Sequence, residues 1–254
     1  MPMVHFVGAG PGAADLITLR GANALKAADV VIYAGSLVSS DMLAYAESCR
    51  EVYDSSGMTL EDIIGVIADA DAGGKDVVRL HTGDPSVYGG IREQIEMLDS
   101  RNIKYDIVPG VSSFAAAAAA LGAEYTVPGV SQTVILARMG GRTDVPERED
   151  MELLASHGAS MAVFLSASML EELSRKLTAG GYGADSPAAI VYKASWDDEK
   201  LIRTTVGGLA RAGEENGVHR TALILVGGFL GGAFERSKLY DPAFSHGYRP
   251  RTRG

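Results

Sequence analysis

The sequence predicts an α/β protein in two parts: a doubly wound, mostly parallel sheet first and a mixed sheet second. Three observations carry this. Short apolar runs alternate with helix-length amphipathic segments from Val4 to Leu121, the rhythm of parallel strands joined by crossover helices. Several of those runs end in glycine-rich loops, the most prominent being His81-Thr82-Gly83-Asp84-Pro85-Ser86-Val87-Tyr88-Gly89-Gly90. Finally, the rhythm pauses at Gly122–Ser131 and restarts, with a later segment whose alternation suits antiparallel pairing.

Taken in order, Val4-His5-Phe6-Val7 reads as a first strand running into Gly8-Ala9-Gly10-Pro11-Gly12. Asp15 or Thr18 caps the next helix, with Leu16, Leu19, Ala22, Leu25 and Ala28 on one face. Asp29–Tyr33 is a second strand, followed by a helix over Asp41–Glu47 and a short strand at Glu51-Val52-Tyr53. Thr59 caps a helix carrying Ile63, Ile64, Val66 and Ile67. The run Val77-Val78-Arg79-Leu80 enters the Gly83–Gly90 loop, and a helix from Ile91 to Leu98 leaves it. Tyr105–Val108 is the next strand, and Ser112 or Ser113 caps an alanine-rich helix over Phe114–Leu121.

Gly122–Ser131, with Pro128 and Gly129, reads as a linker or an inter-domain strand. Beyond it, strands are expected at Thr133–Leu136, Met161–Leu165, Ala188–Tyr192 and Ala222–Val226, and helices at Met169–Leu177 and near Leu209. Lys200–Val206 alternates as an antiparallel strand does. The expected domains are 1–123 and 132–230, with a linker at 124–131 and a polar, basic tail at 231–254 containing Arg249, Arg251 and Arg253.

Composition narrows the function. Of 254 residues, 46% are apolar, enough to bury a core. No apolar run approaches a membrane span. No basic region precedes the first apolar stretch, so no signal peptide is expected. Cys49 is the single cysteine, which excludes an internal disulfide and a cysteine-based zinc cluster and suits the cytoplasm. The net charge of −9 argues against bulk nucleic-acid binding.

The strand-end loops carry the chemistry, because open α/β sheets bind ligands at the carboxyl ends of their strands. Gly8–Gly12 has the setting of a dinucleotide fingerprint, but Ala13 stands at the third glycine and the second strand ends in Tyr33-Ala34-Gly35 with no acid for a ribose. NAD is therefore a poor fit. Asp84 can only accept hydrogen bonds when ionised, so it suits hydroxyls, amines or a sulfonium-bearing ligand. His81, at the entrance of its loop, is the one histidine placed to reach a ligand; His5 reads as a sheet-face residue and His157, His219 and His246 as surface or tail residues. Trp196 can pack against core or ligand. Metalloprotease, nucleophile-elbow and P-loop motifs do not occur, which suits a reaction carried out by a reactive, well-positioned cosubstrate.

Together, Val7–Gly12 with Leu16–Leu19, Gly83-Asp84-Pro85 with Tyr88-Gly89, and Pro109-Gly110-Val111-Ser112-Ser113-Phe114 resemble, in this order, the tetrapyrrole (corrin/porphyrin) methyltransferase family. Tyr33–Val38, His81–Gly89, Val191–Trp196 and Ser237–Pro242 narrow the resemblance to its members in cobalamin biosynthesis. The resemblance covers nearly the whole chain. It implies two α/β domains with S-adenosyl-L-methionine in the cleft between them, S-adenosyl-L-homocysteine as the second product, a tetrapyrrole polycarboxylate as substrate, and a cytoplasmic homodimer without metal, nucleic-acid or membrane partners. Carried over residue by residue, the cofactor touches Pro11, then Thr82, Gly83, Asp84 and Val87, then Ser112 and Ser113. Its contacts in the second domain are Leu165, Ser166, Ala194, Thr221 and Ala222. Arginines suit a polycarboxylate, and the candidates are Arg20, Arg92, Arg138 and Arg142, each of which reads equally as a solvated surface residue. Related members place an aspartate, proposed as a proton acceptor, after the second strand; Gly35 stands there here, so no general base and no catalytic residue are carried over. The alternatives are a family member acting on another ring carbon or on a cobalt-loaded substrate and, from a different class, a non-catalytic nucleotide-binding protein on the same fold.

Overall fold

Strand β1 (Val4–Gly8) is an inner strand of a five-stranded sheet in the computed structural model, which describes residues 2–232, 234–241 and 243–248. Arg249, Arg251 and Arg253 of the expected tail and Pro242 of the last motif lie outside the described residues. The sheet adds β2 (Val30–Tyr33), β3 (Glu51–Asp54), β4 (Val77–His81) and β5 (Tyr105–Val108) in the order β3-β2-β4-β1-β5. Every pairing is parallel, with Val7 opposite both Leu80 and Val108.

Period-2 alternation sends successive side chains to opposite faces, and both faces are covered. Val4, Phe6, Val30, Ile32 and Val77 pack with Ile63, Ile64 and Ile67 of α2 (Leu60–Ala72) and Leu98 of α3 (Ile91–Ser100). Val7, Val31, Val78, Leu80 and Val108 pack on the other side with Leu25 of α1 (Leu19–Ala27) and Met42. Met42 belongs to a 3-10 helix, Ser40–Ala46, where an α-helix was expected. The expected caps form. Thr18 accepts from the Gly21 amide, and Thr59 and Asp62 make a reciprocal capping box, each such cap contributing about 1 kcal/mol.

The chain divides into two compact units, residues 1–117 with 193–199 and residues 118–192 with 200–254, with α4 (Ser113–Leu121) spanning the division point in sequence. The expected domain bounds differ in placing 193–199 in the second domain. The physical reason is that Ser195 and Trp196 bond to the loop after β1, as described below.

In the second unit β6 (Val134–Arg138), β7 (Ser160–Phe164), β8 (Pro187–Tyr192), β9 (Lys200–Thr205) and β10 (Ala222–Val226) form a mixed sheet in the order β6-β7-β10-β8-β9. Only β6–β7 is parallel, and β9 pairs antiparallel with β8 as its alternation predicts. Its core includes Met161, Ile190, Ile224 and Val226, packed with Met151 of α5 (Met151–Ala155), Leu173 and Leu177 of α6 (Leu170–Ala179) and Leu209 of α7 (Leu209–Glu215). Residues 124–131 form no strand. The Val130 and Ser131 amides turn back to the Val127 carbonyl. Tyr125 is buried against Phe229, and its carbonyl accepts from the Ser160 hydroxyl at 2.7 Å.

Candidate functional site

The loops after β4, β1 and β5, three adjacent strands, converge with their backbones in contact. Gly10 and Gly83 exchange two backbone hydrogen bonds, at 2.8 and 3.2 Å. A Cβ on Gly8 would lie 2.6 Å from Gly110 Cα and from the Gly83 carbonyl oxygen, and one on Gly110 would collide with that same oxygen. Backbones this close admit only glycine. Asp84 fastens the junction: one carboxylate oxygen accepts from the Gly110 amide at 2.8 Å, and the other from the Ser86 amide at 2.9 Å and the Ser86 hydroxyl. Burial pushes the Asp84 pKa up, but the hydrogen bonds from Ser86 and Gly110 outweigh it and hold the carboxyl below its ordinary value. Asp84 therefore ties two loops together, a role the sequence did not reveal. Thr82 is exposed, Val87 half-buried and Ser112 buried, and Ser113 opens α4.

The loop after β1 is clamped by residues 193–199. Trp196 Nε1 donates to the Pro11 carbonyl at 2.9 Å, and the Ala13 amide donates to Ser195 Oγ at 3.0 Å. The indole lies where a Cβ on Gly12 would be, so only glycine fits at position 12. The clamp is itself braced, since the Ser195 amide donates to Glu199 and Lys193 pairs with Asp198 at 2.6 Å while its ammonium sits 5.2 Å from the indole centroid. Lys193 and Ser195 have φ of 47° and 68°, a strained region for residues with side chains. A cavity of about 450 Å³ opens beside the clamp, lined by Gly12, Ala13, Ala14, Ser39, Asp41 and Trp196 among others.

His81 does not reach the loop's outer surface. It is buried, 5.9 Å from the Phe6 ring centroid, with its ring beside the Gly89 backbone. Burial, and then the charge of Arg79, push its pKa down to about 3, so it is neutral at physiological pH. Arg79 is buried too, and burial lowers its pKa to about 10. The sequence reading passed over Arg79 as part of an apolar run. The available signal was a cation two residues before a histidine in a strand otherwise apolar, which places both on one face.

The missing acid at Gly35 also has a cause. Its amide donates to Asp54 Oδ1 at 2.9 Å, and a Cβ there would strike the Asp54 carboxylate. A carboxylate from the end of β3 thus occupies the space beside the end of β2. Backbone hydrogen bonds from Ser56 and Gly35 lower its pKa.

In the second unit Leu165 and Thr221 are exposed, with φ of 53° each, beside the ends of β7 and β10. Ala222 pairs with Tyr192. The Ser166 hydroxyl is fully buried and committed, donating to the Phe164 carbonyl at 2.7 Å and accepting from the Met139 amide at 2.9 Å. Ala194 is buried and groups with the first unit. Among the candidate arginines, Arg20 and Arg142 are exposed and Arg92 pairs with Glu96 at 2.9 Å along α3. Arg138 donates to the carbonyls of Met139, Thr143 and Asp144, which commits it to shaping its own loop.

A fully parallel, doubly wound sheet with three interlocked glycine loops at adjacent strand ends defines a class: an α/β protein that holds a small ligand at its strand ends. The chain belongs to the Tetrapyrrole (Corrin/Porphyrin) Methylases, whose family model matches residues 3–210. It is 50% identical over 247 residues to a cobalt-precorrin-4 C(11)-methyltransferase of Methanocaldococcus jannaschii, covering 97% of this chain and 95% of that protein. It is 45% identical to a precorrin-4 C(11)-methyltransferase of Sinorhizobium sp., covering 98% of each. The crystal structure of a cobalt precorrin-4 methyltransferase, described as a cobalamin biosynthetic enzyme, aligns with a TM-score of 0.88 at 46% identity over 91% of this chain and 96% of that one. A uroporphyrin-III C-methyltransferase of Thermus thermophilus complexed with S-adenosyl homocysteine aligns with a TM-score of 0.74 at 26% identity, over 90% and 93%. Among the described residues no helix is long and apolar enough to cross a membrane.

Proposed function

We propose that this protein transfers a methyl group from S-adenosyl-L-methionine to carbon 11 of precorrin-4, giving precorrin-5 and S-adenosyl-L-homocysteine in cobalamin biosynthesis, and that it works as a cytoplasmic homodimer. The observation that carries the reading is the interlocked junction of Gly8, Gly83 and Gly110 at three adjacent strand ends, together with full-length identity to enzymes named for this reaction.

The residues present fit the cofactor. Thr82 offers an exposed hydroxyl, Gly83 and Pro11 bring backbone to the loop junction, and Val87, Ser112 and Ser113 complete the first unit's contacts. Leu165, Ser166, Ala194, Thr221 and Ala222 are the further contacts we assign. The sulfonium supplies an electrophilic methyl group, and the chain's task is to align it with a nucleophilic ring carbon at roughly 3–3.5 Å and to exclude water. Arg20, Arg92 and Arg142 are the arginines we assign to substrate carboxylates; Arg138 acts by holding its loop. A second reading, the same step on cobalt-precorrin-4, is favoured by the name of the 50% identical relative.

Incubation with carbon-13-labelled S-adenosylmethionine and precorrin-4, with and without cobalt in the ring, followed by NMR of the product, tests both. Label at carbon 11 is expected. Label at another ring carbon would reject the assignment within the family, and cofactor binding without transfer to any precorrin would favour a non-catalytic protein.

A further inference from the structure

Under the loop between β4 and α3 three polar side chains are buried together: Arg79 and His81, each 6% exposed, and Gln94, 5% exposed. Arg79 and His81 lie two apart on β4, so both face the layer of α2 and α3. The Arg79 guanidinium makes no ion pair among the described residues. It donates to Gln94 Oε1 at 3.3 Å and to the Ile32 carbonyl at 3.4 Å. Gln94 passes the connection upward, its Nε2 donating to the Gly90 carbonyl at 3.1 Å. His81 lies beside the neighbouring Gly89 backbone, and its Nε2 has no hydrogen-bond partner among the described residues.

Isolated buried charge and an orphaned ring nitrogen are costly, and an apolar set of the same volume would often be more stable. What the cluster does make is a hydrogen bond to the loop where it enters α3, from Gln94 to the Gly90 carbonyl. That loop needs holding. Gly83, Tyr88 and Gly90 all have left-handed φ, of 62°, 55° and 61°, and Gly90 caps α3 without a side-chain hydrogen bond.

We infer that Gln94, oriented by Arg79, is a positioning residue that fixes the Gly90 carbonyl from beneath and, with the buried His81 ring packed beside it, sets the Gly83–Val87 edge for the cofactor. This rests on the reading of that loop as a cofactor-binding loop.

Two variants separate positioning from simple packing. Gln94→Glu keeps an acceptor for Arg79, and adds a charge to it, while removing the donor to Gly90. His81→Phe keeps a ring against Phe6 while removing the polar ring nitrogens beside Gly89. The expected result for both is a melting temperature at or near that of the unaltered protein, a dissociation constant for S-adenosylmethionine raised about tenfold, a raised KM for the cofactor with kcat little changed, and faster amide hydrogen exchange at residues 87–90. Unaltered affinity and unaltered exchange in both variants would overturn the inference, as would a melting temperature that falls in step with affinity. If the unaltered protein binds no S-adenosylmethionine, the functional reading fails instead, while hydrogen exchange in the cofactor-free protein still decides whether these side chains hold the loop.

Discussion

The loops after β1 and β4 are secured in opposite ways. The first is gripped from outside by Trp196 and Ser195, which lie about 180 residues further along the chain. The second is held from beneath by Gln94, with the buried His81 ring packed beside it, and these belong to the helix and strand it connects. Local fastening comes with local folding: once β4 and α3 form, the second loop's anchors are already beside it. The first loop has no comparable anchors of its own. Thr18 caps the following helix, but Pro11 and Ala13 wait for residues 193–199. The two loops are then locked to each other through Gly10 and Gly83, and the second is locked to the loop after β5 by the Asp84–Gly110 tie.

The largest expected effect comes from breaking that mutual lock. Gly110→Ala places a methyl group against the Gly83 carbonyl and the Gly8 backbone, which are main chain and cannot swing aside. A cost of about 3 kcal/mol is expected by urea denaturation, with cofactor affinity lost alongside. A fully stable Gly110→Ala protein would mean that the two loops are not interlocked.

The next test touches only the second loop. His81 is neutral when folded, with a pKa of about 3, against an ordinary value of 6.5. Its stabilising contribution is complete above pH 6.5 and is lost as pH falls from there toward about 3, because the unfolded chain takes up the proton first. The slope approaches about 1.4 kcal/mol per pH unit once the unfolded histidine is protonated. Stability measured from pH 7 to 5 is expected to fall less steeply in His81→Phe than in the unaltered protein; equal slopes would remove the histidine from the acid limb.

The smallest effect sharpens the first loop's side of the comparison. Trp196→Phe keeps an aromatic ring at position 196 but deletes the indole N–H that donates to the Pro11 carbonyl, along with one ring of the indole. A loss of about 1 kcal/mol is expected in chemical denaturation, with hydrogen exchange at residues 87–90 unchanged. Faster exchange there would show the outer clamp supporting both loops.

This asymmetry also explains what could be read in advance. Strand positions to within two residues, the cap at Thr59, Thr18 as one of two candidate caps, and the antiparallel β9 follow from patterns a few residues long and were legible, although β6 runs to Arg138 where the expected strand stops at Leu136. The glycines at 8, 83 and 110 were legible as flexible turn residues but not as a three-way contact, since each owes its identity to backbone from another strand. Asp54 beside Gly35 and Trp196 on Gly12 are likewise tertiary neighbours with no local signature. Arg138 shows a different limit. Its residue type suited a carboxylate partner, but the backbone of its own loop presents three carbonyls within reach and takes three of its five donors. Arg79 was hidden by the apolar residues around it, because a continuous run is what a strand buried on both faces normally shows.

The outer clamp has one more consequence. Trp196 is the chain's only tryptophan, so the indole emission of the whole protein comes from one ring, resting on Gly12, bonded to Pro11 and lying under the Lys193 ammonium. That emission is a native optical gauge of the first glycine loop, needing no label. A shift in its wavelength reports a change in the hydrogen bond or charge at that ring, while a change confined to the loop after β4 leaves the signal dark.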